Sequence, residues 1–487
     1  MRQSAGWFSL GLLLMVVAVA WTIPFGGFPD ELDHYERALS VGSGELVGKP
    51  NNETIPSVVT RTCCAPGNQN ALRWVRLGVR RVKVDQRQLP NRLSCRRVVE
   101  NPRLPCGQTA AELKQGRHST AMGTIEPVDY VPSGVAMQLF RSPFAYRVGR
   151  LVLGLIGVAL IFLGLESLAS SGAKSSLLGI TLLMTPGTLI VLASGSPNVV
   201  EIASAICFGL CALSFARRER VANITWAGLA VGGFALATSR SLGPIWILLS
   251  AGVAVLAGNF QTVRANVGRQ PTLAWLTAAS IGVGSASTVL WEALVQPHVP
   301  FDFAFFLRQI LPTMGDAPVA ARKFAFSAGA FPPSYLAWSW VAALAAFVAA
   351  AAWRGTRRDR LAIGASVAAL VASFVGVSAA VLRQNGFGIQ ARHIVPAIAL
   401  VCLVATAACD DRLLPGRLRA GVSIGAGVIL CVAWGYLAKS FMPTSIGLVV
   451  QYVSPGEALR GLASVWTVVF VAGVALTCGA AAMWSAE

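Results

Sequence analysis

The chain has 487 residues, 54% of them hydrophobic and 13% charged, and its mean hydropathy is +0.61. These values exclude an ordinary soluble globular protein. Repeated apolar runs near the ~20 residues that cross a bilayer point to a polytopic α-helical membrane protein rather than a barrel of short alternating strands. The net charge of +18 comes with no zinc-finger or RNA-binding signature. No nucleic-acid partner is therefore expected, and the charge is assigned to basic cytoplasmic loops and to contact with anionic lipid.

In chain order, the first apolar run covers residues 7–23. Ala18-Val19-Ala20 resembles a cleavage site, but the run continues through Ile23 after a minimal basic start, so an uncleaved first helix is expected. Residues 24–143 form a polar extracytoplasmic loop domain without a spanning segment. Within it, spacings of three and four place Arg73, Arg76, Arg80, Lys83 and Arg87 on one face of a helix, suited to lying on anionic lipid or to a solvated surface. Cys63, Cys64, Cys95 and Cys106 are disulfide candidates there, since they lie outside the apolar segments and on the oxidising side. A four-ligand metal site is the other reading of these cysteines.

Residues 144–487 hold the remaining apolar segments, near 146–165, 176–194, 197–216, 222–239, 241–258, 273–294, 333–352, 361–382, 394–409, 420–438 and 462–484. With the first, this predicts about 12 transmembrane helices. Lys and Arg are denser in the loops around residues 174, 217–220, 264–269, 354–360 and 412–419 than in the short loops of the other side. The positive-inside rule then puts both termini in the cytoplasm of a bacterial plasma membrane. The acidic stretch and all four histidines face outward. The loop 295–332, rich in Phe and Leu, is expected to form a re-entrant or interfacial helix.

The stretch Pro29-Asp30-Glu31-Leu32-Asp33-His34 stands out because three carboxylates and an imidazole lie beside a bilayer. A carboxylate there is suited to act as a general base on an acceptor hydroxyl. Asp30 and Glu31 are the catalytic candidates, with Asp33 and His34 as substrate-binding neighbours. Arg392 and His393 open a helix on the outer side, where an arginine and a helix N-terminus suit a phosphate. Arg240, in a short hairpin on the same side, is a second phosphate candidate. Asn198 and Glu201 open another helix there and complete the substrate-binding set. Phosphate-binding and dinucleotide-binding glycine motifs are absent, which favours a lipid-linked donor over a nucleotide one.

Several of these residues fall in a pattern. Pro29-Asp30-Glu31-x-x-His34 after the first helix resembles the opening motif of a bacterial, largely actinobacterial, family of polytopic membrane proteins of unknown function. Tyr130-Val131-Pro132, Thr185-Pro186, Pro197-Asn198 with Glu201, and Gln390-x-Arg392-x-x-x-Pro396 match it in the same order. Leu32-Asp33 and His393 depart from it. That family is similar to GT-C glycosyltransferases, which take sugars from polyprenyl-phosphate carriers on the extracytoplasmic face. The resemblance implies a GT-C-like fold with a long first outer loop, Asp30 as the base and Glu31 as its acidic partner. It also implies inverting transfer from a polyprenyl-phosphate sugar donor to a cell-envelope glycan or glycolipid acceptor. No cofactor is implied firmly, although a divalent metal is compatible with the carboxylates. A transporter or flippase of a lipid-linked precursor, and a non-catalytic envelope scaffold, are the competing readings.

Overall fold

A computed structural model describes residues 2–23, 25, 28, 30–50, 79–84, 117–120, 122–142, 144–170, 177–296, 300–325, 334–383, 390–409, 416–441 and 465–483. The four candidate disulfide cysteines lie outside these residues.

Helix α1 (Arg2–Thr22) is followed by the amphipathic α2 (Glu31–Gly42). The insertion then contributes a small antiparallel sheet of β1 (Lys49–Pro50), β2 (Arg80–Lys83) and β3 (Arg117–Thr120), in that order. Arg81 stands opposite Lys49 on one side and Ser119 on the other. The all-α class expected from the sequence holds for the membrane bundle, and one expectation is corrected here: Arg80 and Lys83 belong to a strand instead of a basic helix. Val82 and Val84 are both buried, so a two-residue inward alternation of β-branched side chains prevails over the arginine spacing. Val82, Tyr35, Leu39 and Tyr130 share a small core distinct from that of the bundle.

A single 3-10 turn (Val128–Tyr130) leads into α3 (Val131–Leu139), which crosses α2. A Cβ added at Gly134 would lie 2.3 Å from the Ala38 carbonyl, so only glycine permits this crossing. The long α4 (Ala145–Ser170) comes next. The following apolar segment divides into α5 (Leu178–Leu183) and α6 (Pro186–Leu192). Pro186 lacks the N–H that would continue a helix, and Thr185 caps the second half by accepting from Thr188 N at 2.9 Å.

Then come α7 (Asn198–Arg217), α8 (Asn223–Ser239), α9 (Gly243–Ala257), α10 (Phe260–Arg269) and α11 (Pro271–Val295). Two short amphipathic helices, α12 (Phe303–Gly315) and α13 (Ala317–Ala325), occupy the second long loop. Phe303, Leu307 and Leu311 recur every four residues along α12 and are exposed. The chain ends with α14 (Ser334–Arg354), α15 (Arg357–Val375) running into a π turn, a 3-10 turn (Ala391–Ile394) joined to α16 (Val395–Ala408), α17 (Gly416–Phe441) and α18 (Val465–Met483).

Among the described residues nine helices are long and apolar enough to span a membrane, or ten if α9 and α10, bent by 109°, form one broken span. The sequence count of about 12 is higher because it includes the divided 176–194 segment and the short helices α8 and α9. At 17 and 15 residues, those two reach about 26 and 23 Å, short of the ~30 Å hydrocarbon core. The protein is a multi-pass membrane protein. Its central element is α7, whose apolar window is wholly buried, with α16 beside it at 83%. The windows of α11 and α14 are only 17% and 22% buried, as an outer wall in contact with lipid requires. The first and last membrane helices close the bundle through glycine. A Cβ at Gly11 would meet the Gly473 carbonyl at 2.5 Å, the small-residue contact that lets membrane helices approach.

Candidate functional site

Five separate segments converge at one end of the central helix α7. They are the start of α2, the turn before α3, the start of α7, the hairpin between α8 and α9, and the 3-10 turn before α16. Side-chain hydrogen bonds join these ends on one face of the bundle.

Asp30 occupies the N-cap position of α2, but its side chain makes no cap hydrogen bond. It is the one described non-glycine residue with a positive φ, 54°, a left-handed conformation that short polar residues tolerate. This turn directs the carboxylate away from the helix and onto Arg392, which donates to Oδ2. Arg392 also donates to Gln390 Oε1 at 2.8 Å, and the same oxygen lies 2.7 Å from His393 Nε2. His393 Nδ1 lies 3.0 Å from Arg240 Nη1. A guanidinium only donates, so the ring accepts at Nδ1 and carries its hydrogen at Nε2.

Arg240 donates as well to Asn198 Oδ1 at 2.7 Å. Asn198 donates from Nδ2 to Ser196 Oγ at 2.6 Å, and Ser196 reaches His34 Nε2 at 3.3 Å. His34 Nδ1 lies 2.7 Å from the Tyr130 hydroxyl. Ser196 accepts from the Asn198 side chain and backbone N–H. Its own hydrogen is then directed at His34 Nε2, which leaves Nδ1–H to donate to Tyr130. The result is a continuous polar chain from the solvent-facing Asp30 to the buried Tyr130.

Charge and burial set the protonation of its members. Loss of surrounding water pushes the Asp30 carboxyl up, but Arg392, with Arg240 nearby, outweighs this and holds it below the usual carboxylate range. Burial, reinforced by Arg392 and Arg240 and opposed by Asp30, drives His34 down to about 3, so it is neutral at physiological pH. Glu201 lies one turn into α7 from Asn198, and its Oε1 accepts from Trp246 Nε1 at 3.1 Å.

The sequence candidates are therefore distributed unevenly. Asp30, His34, Asn198, Arg240, Arg392 and His393 come together in one network, and Glu201 adjoins it. Glu31 does not join Asp30. Arg150 takes its Oε1 through Nε at 2.6 Å and Nη2 at 2.5 Å. The same guanidinium caps the end of α1 by donating to the Ala20 and Ile23 carbonyls, and it lies over the Phe28 and Tyr146 rings. Asp33 is half-buried, and its backbone carbonyl accepts from Thr120 of the sheet. Among the described residues no three His, Cys, Asp or Glu side chains group as a metal site.

Sequence reasoning missed Arg150, Ser196 and Asp129 as parts of this region. Arg150 carries a readable signal, because an arginine within an apolar span implies a buried acidic partner.

Residues 13–302 match the family described as Predicted membrane protein (DUF2142). The chain belongs to that family. The matched region contains Asp30, His34, Tyr130, Asn198, Glu201 and Arg240, whereas Arg392 and His393 lie beyond it. No curated protein and no solved structure matches the chain.

Proposed function

We propose that this protein is a membrane glycosyltransferase that moves a sugar from a polyprenyl-phosphate donor to a cell-envelope acceptor. Its site faces the extracytoplasmic side of a bacterial plasma membrane, with both termini in the cytoplasm. The observation that carries this reading is the meeting of an exposed carboxylate, Asp30, with two arginines, Arg392 and Arg240, at one mouth of the bundle.

The two charges divide the reaction between them. In the free protein Arg392 is engaged by Asp30, which keeps the carboxylate ionised but weakly basic. A donor phosphate arriving beside Arg392 and Arg240 competes for the guanidinium. Release of Arg392 then raises the basicity of Asp30 when the donor is in place. Asp30 takes the proton from the acceptor hydroxyl, whose oxygen attacks the anomeric carbon from the face opposite the phosphate. The carbon–oxygen bond to phosphate breaks, and the polyprenyl phosphate leaves with the electron pair, stabilised by the arginines. The configuration at the anomeric carbon is inverted.

In a transporter or flippase the ionisable groups would line a path through the membrane. The network described here is gathered at one end of α7, which favours chemistry there over passage. The test is transfer by membranes containing wild-type or Asp30→Asn protein, supplied with lipid-linked sugar and acceptor. Transfer is expected to fall on the order of a hundredfold or more when a general base is removed. Undiminished transfer overturns the assignment of Asp30.

A further inference from the structure

Behind Arg240 the protein buries two carboxyl groups that the reaction above does not use. Asp129 lies in the turn before α3, which packs against α8 near the hairpin carrying Arg240. Glu201 lies in the first turn of α7, one helical turn beyond Asn198, the residue that holds Arg240. Their exposures are 5% and 1%. Each has one carboxyl oxygen, Asp129 Oδ2 and Glu201 Oε2, that is buried without a hydrogen-bond partner. Arg392 Nε is buried and unpartnered in the same region. Such an atom ordinarily costs about 1–3 kcal/mol, more for a charged group, and buried polar groups in native proteins are nearly always satisfied. Asp129 lies within electrostatic reach of Glu201, and Glu201 of Arg392, so the three unsatisfied atoms are the complement of a ligand that brings several donors and an acceptor.

We propose that Asp129 and Glu201 form a hydroxyl-binding subsite, beside Arg240, that holds the sugar ring of the donor. The inference rests on the glycosyltransferase reading and extends it to the part of the substrate that reading leaves without a partner. A sugar ring carries neighbouring hydroxyls that donate and accept at once, which two spare carboxyl oxygens answer directly. Trp246 fixes the other oxygen of Glu201 by donating to it, so the free one is held in a set orientation. The Arg240 charge acts on both acids, which disfavours a bound cation and suits a neutral polyol next to a phosphate. Burial, with Glu126 and Glu201 nearby, pushes the Asp129 carboxyl well up. A protonated acid there serves as donor as well as acceptor.

The experiment is binding by saturation-transfer NMR on the full chain in lipid nanodiscs, with methyl hexopyranosides and methyl pentofuranosides as probes. At least one glycoside is expected to give a saturable signal. Asp129→Leu and Glu201→Met should weaken its binding by about tenfold or more, the worth of a hydrogen bond to an acidic group. Asp129→Asn and Glu201→Gln keep the shape and part of the hydrogen bonding, and should weaken it by roughly threefold. Should an apolar variant fail to fold, the isosteric pair decides. Absence of binding by every probe, or unchanged binding in the variants, overturns the subsite and leaves the Asp30 reaction standing. Undiminished transfer by Asp30→Asn overturns the reaction, while glycoside binding judges the subsite separately.

Discussion

Asp30 and Glu31 are adjacent, both are acidic, and both end in ion pairs with arginine, yet the two pairs inhabit different worlds. The Glu31–Arg150 pair is sealed, with side-chain exposures of 3% and 0%, and Arg150 adds two backbone carbonyls and two aromatic faces. The Asp30–Arg392 pair is open, at 40% and 15%. A sealed pair has no solvent to replace either partner, so it holds geometry. An open pair exchanges its partner for a ligand at little cost. Helix α2 separates the two roles by starting between them, with the left-handed turn at Asp30 sending one carboxylate outward and the first helical residue sending the other inward.

The strongest way to break this comparison is to remove Arg150. Arg150→Met leaves Glu31 buried without its counter-charge and should cost about 3–5 kcal/mol of stability. The double variant Arg150→Met, Glu31→Leu should regain most of that loss, because it removes the stranded charge along with its partner. Thermal unfolding in detergent reads both, and a single-variant loss below about 1 kcal/mol, the range of surface pairs, would show that the sealed pair is no brace.

Asp30→Asn should behave in the opposite sense. Transfer falls on the order of a hundredfold or more, while stability changes by less than about 1 kcal/mol, because the pair is half-exposed and asparagine accepts the left-handed turn. A large loss of stability would place Asp30 among the structural residues with Glu31. A smaller effect is expected from Arg392→Lys, which keeps the charge but loses the planar fork suited to two-point contact with a phosphate. About a tenfold rise in donor KM is expected, with folding intact.

The pH dependence reads the buried end of the same network. His34 is held neutral, with its pKa lowered to about 3 from an ordinary 6.5. Between those values the unfolded chain binds a proton that the folded chain refuses, so stability rises with pH there. The contribution is complete above pH 6.5 and is lost progressively as pH falls toward 3. Melting temperature measured from pH 7 down to pH 4 should fall, and the fall should be shallower in His34→Gln. An equal slope in that variant would move the origin of the acid sensitivity elsewhere.

Much of the fold was legible in the chain because lipid imposes a simple code. An apolar run of sufficient length has to become a helix where backbone groups find no water, and every apolar segment read after residue 144 is helical in at least part of its length. The strand at Arg80–Lys83 was misread because two periods compete in one basic stretch, and burial of Val82 and Val84 against α2 decides between them. The division at Thr185-Pro186 was present in the residues, but apolarity concealed it.

Composition and pattern by themselves determined that this chain is a multi-pass membrane protein, and they picked out Asp30, His34, Asn198, Arg240, Arg392 and His393 from 487 residues. What they lacked was pairing. Asp30 and Arg392 lie 362 positions apart, and Arg150 and Glu31 lie 119 apart. No local period encodes contacts of that range. Only the packing of helices around α7 brings those ends together, and the direction of one turn decides which of two neighbouring carboxylates faces the outside. The physical reason is that helix formation in lipid is settled by each segment's own backbone, whereas the meeting of charges is settled by how the finished helices pack.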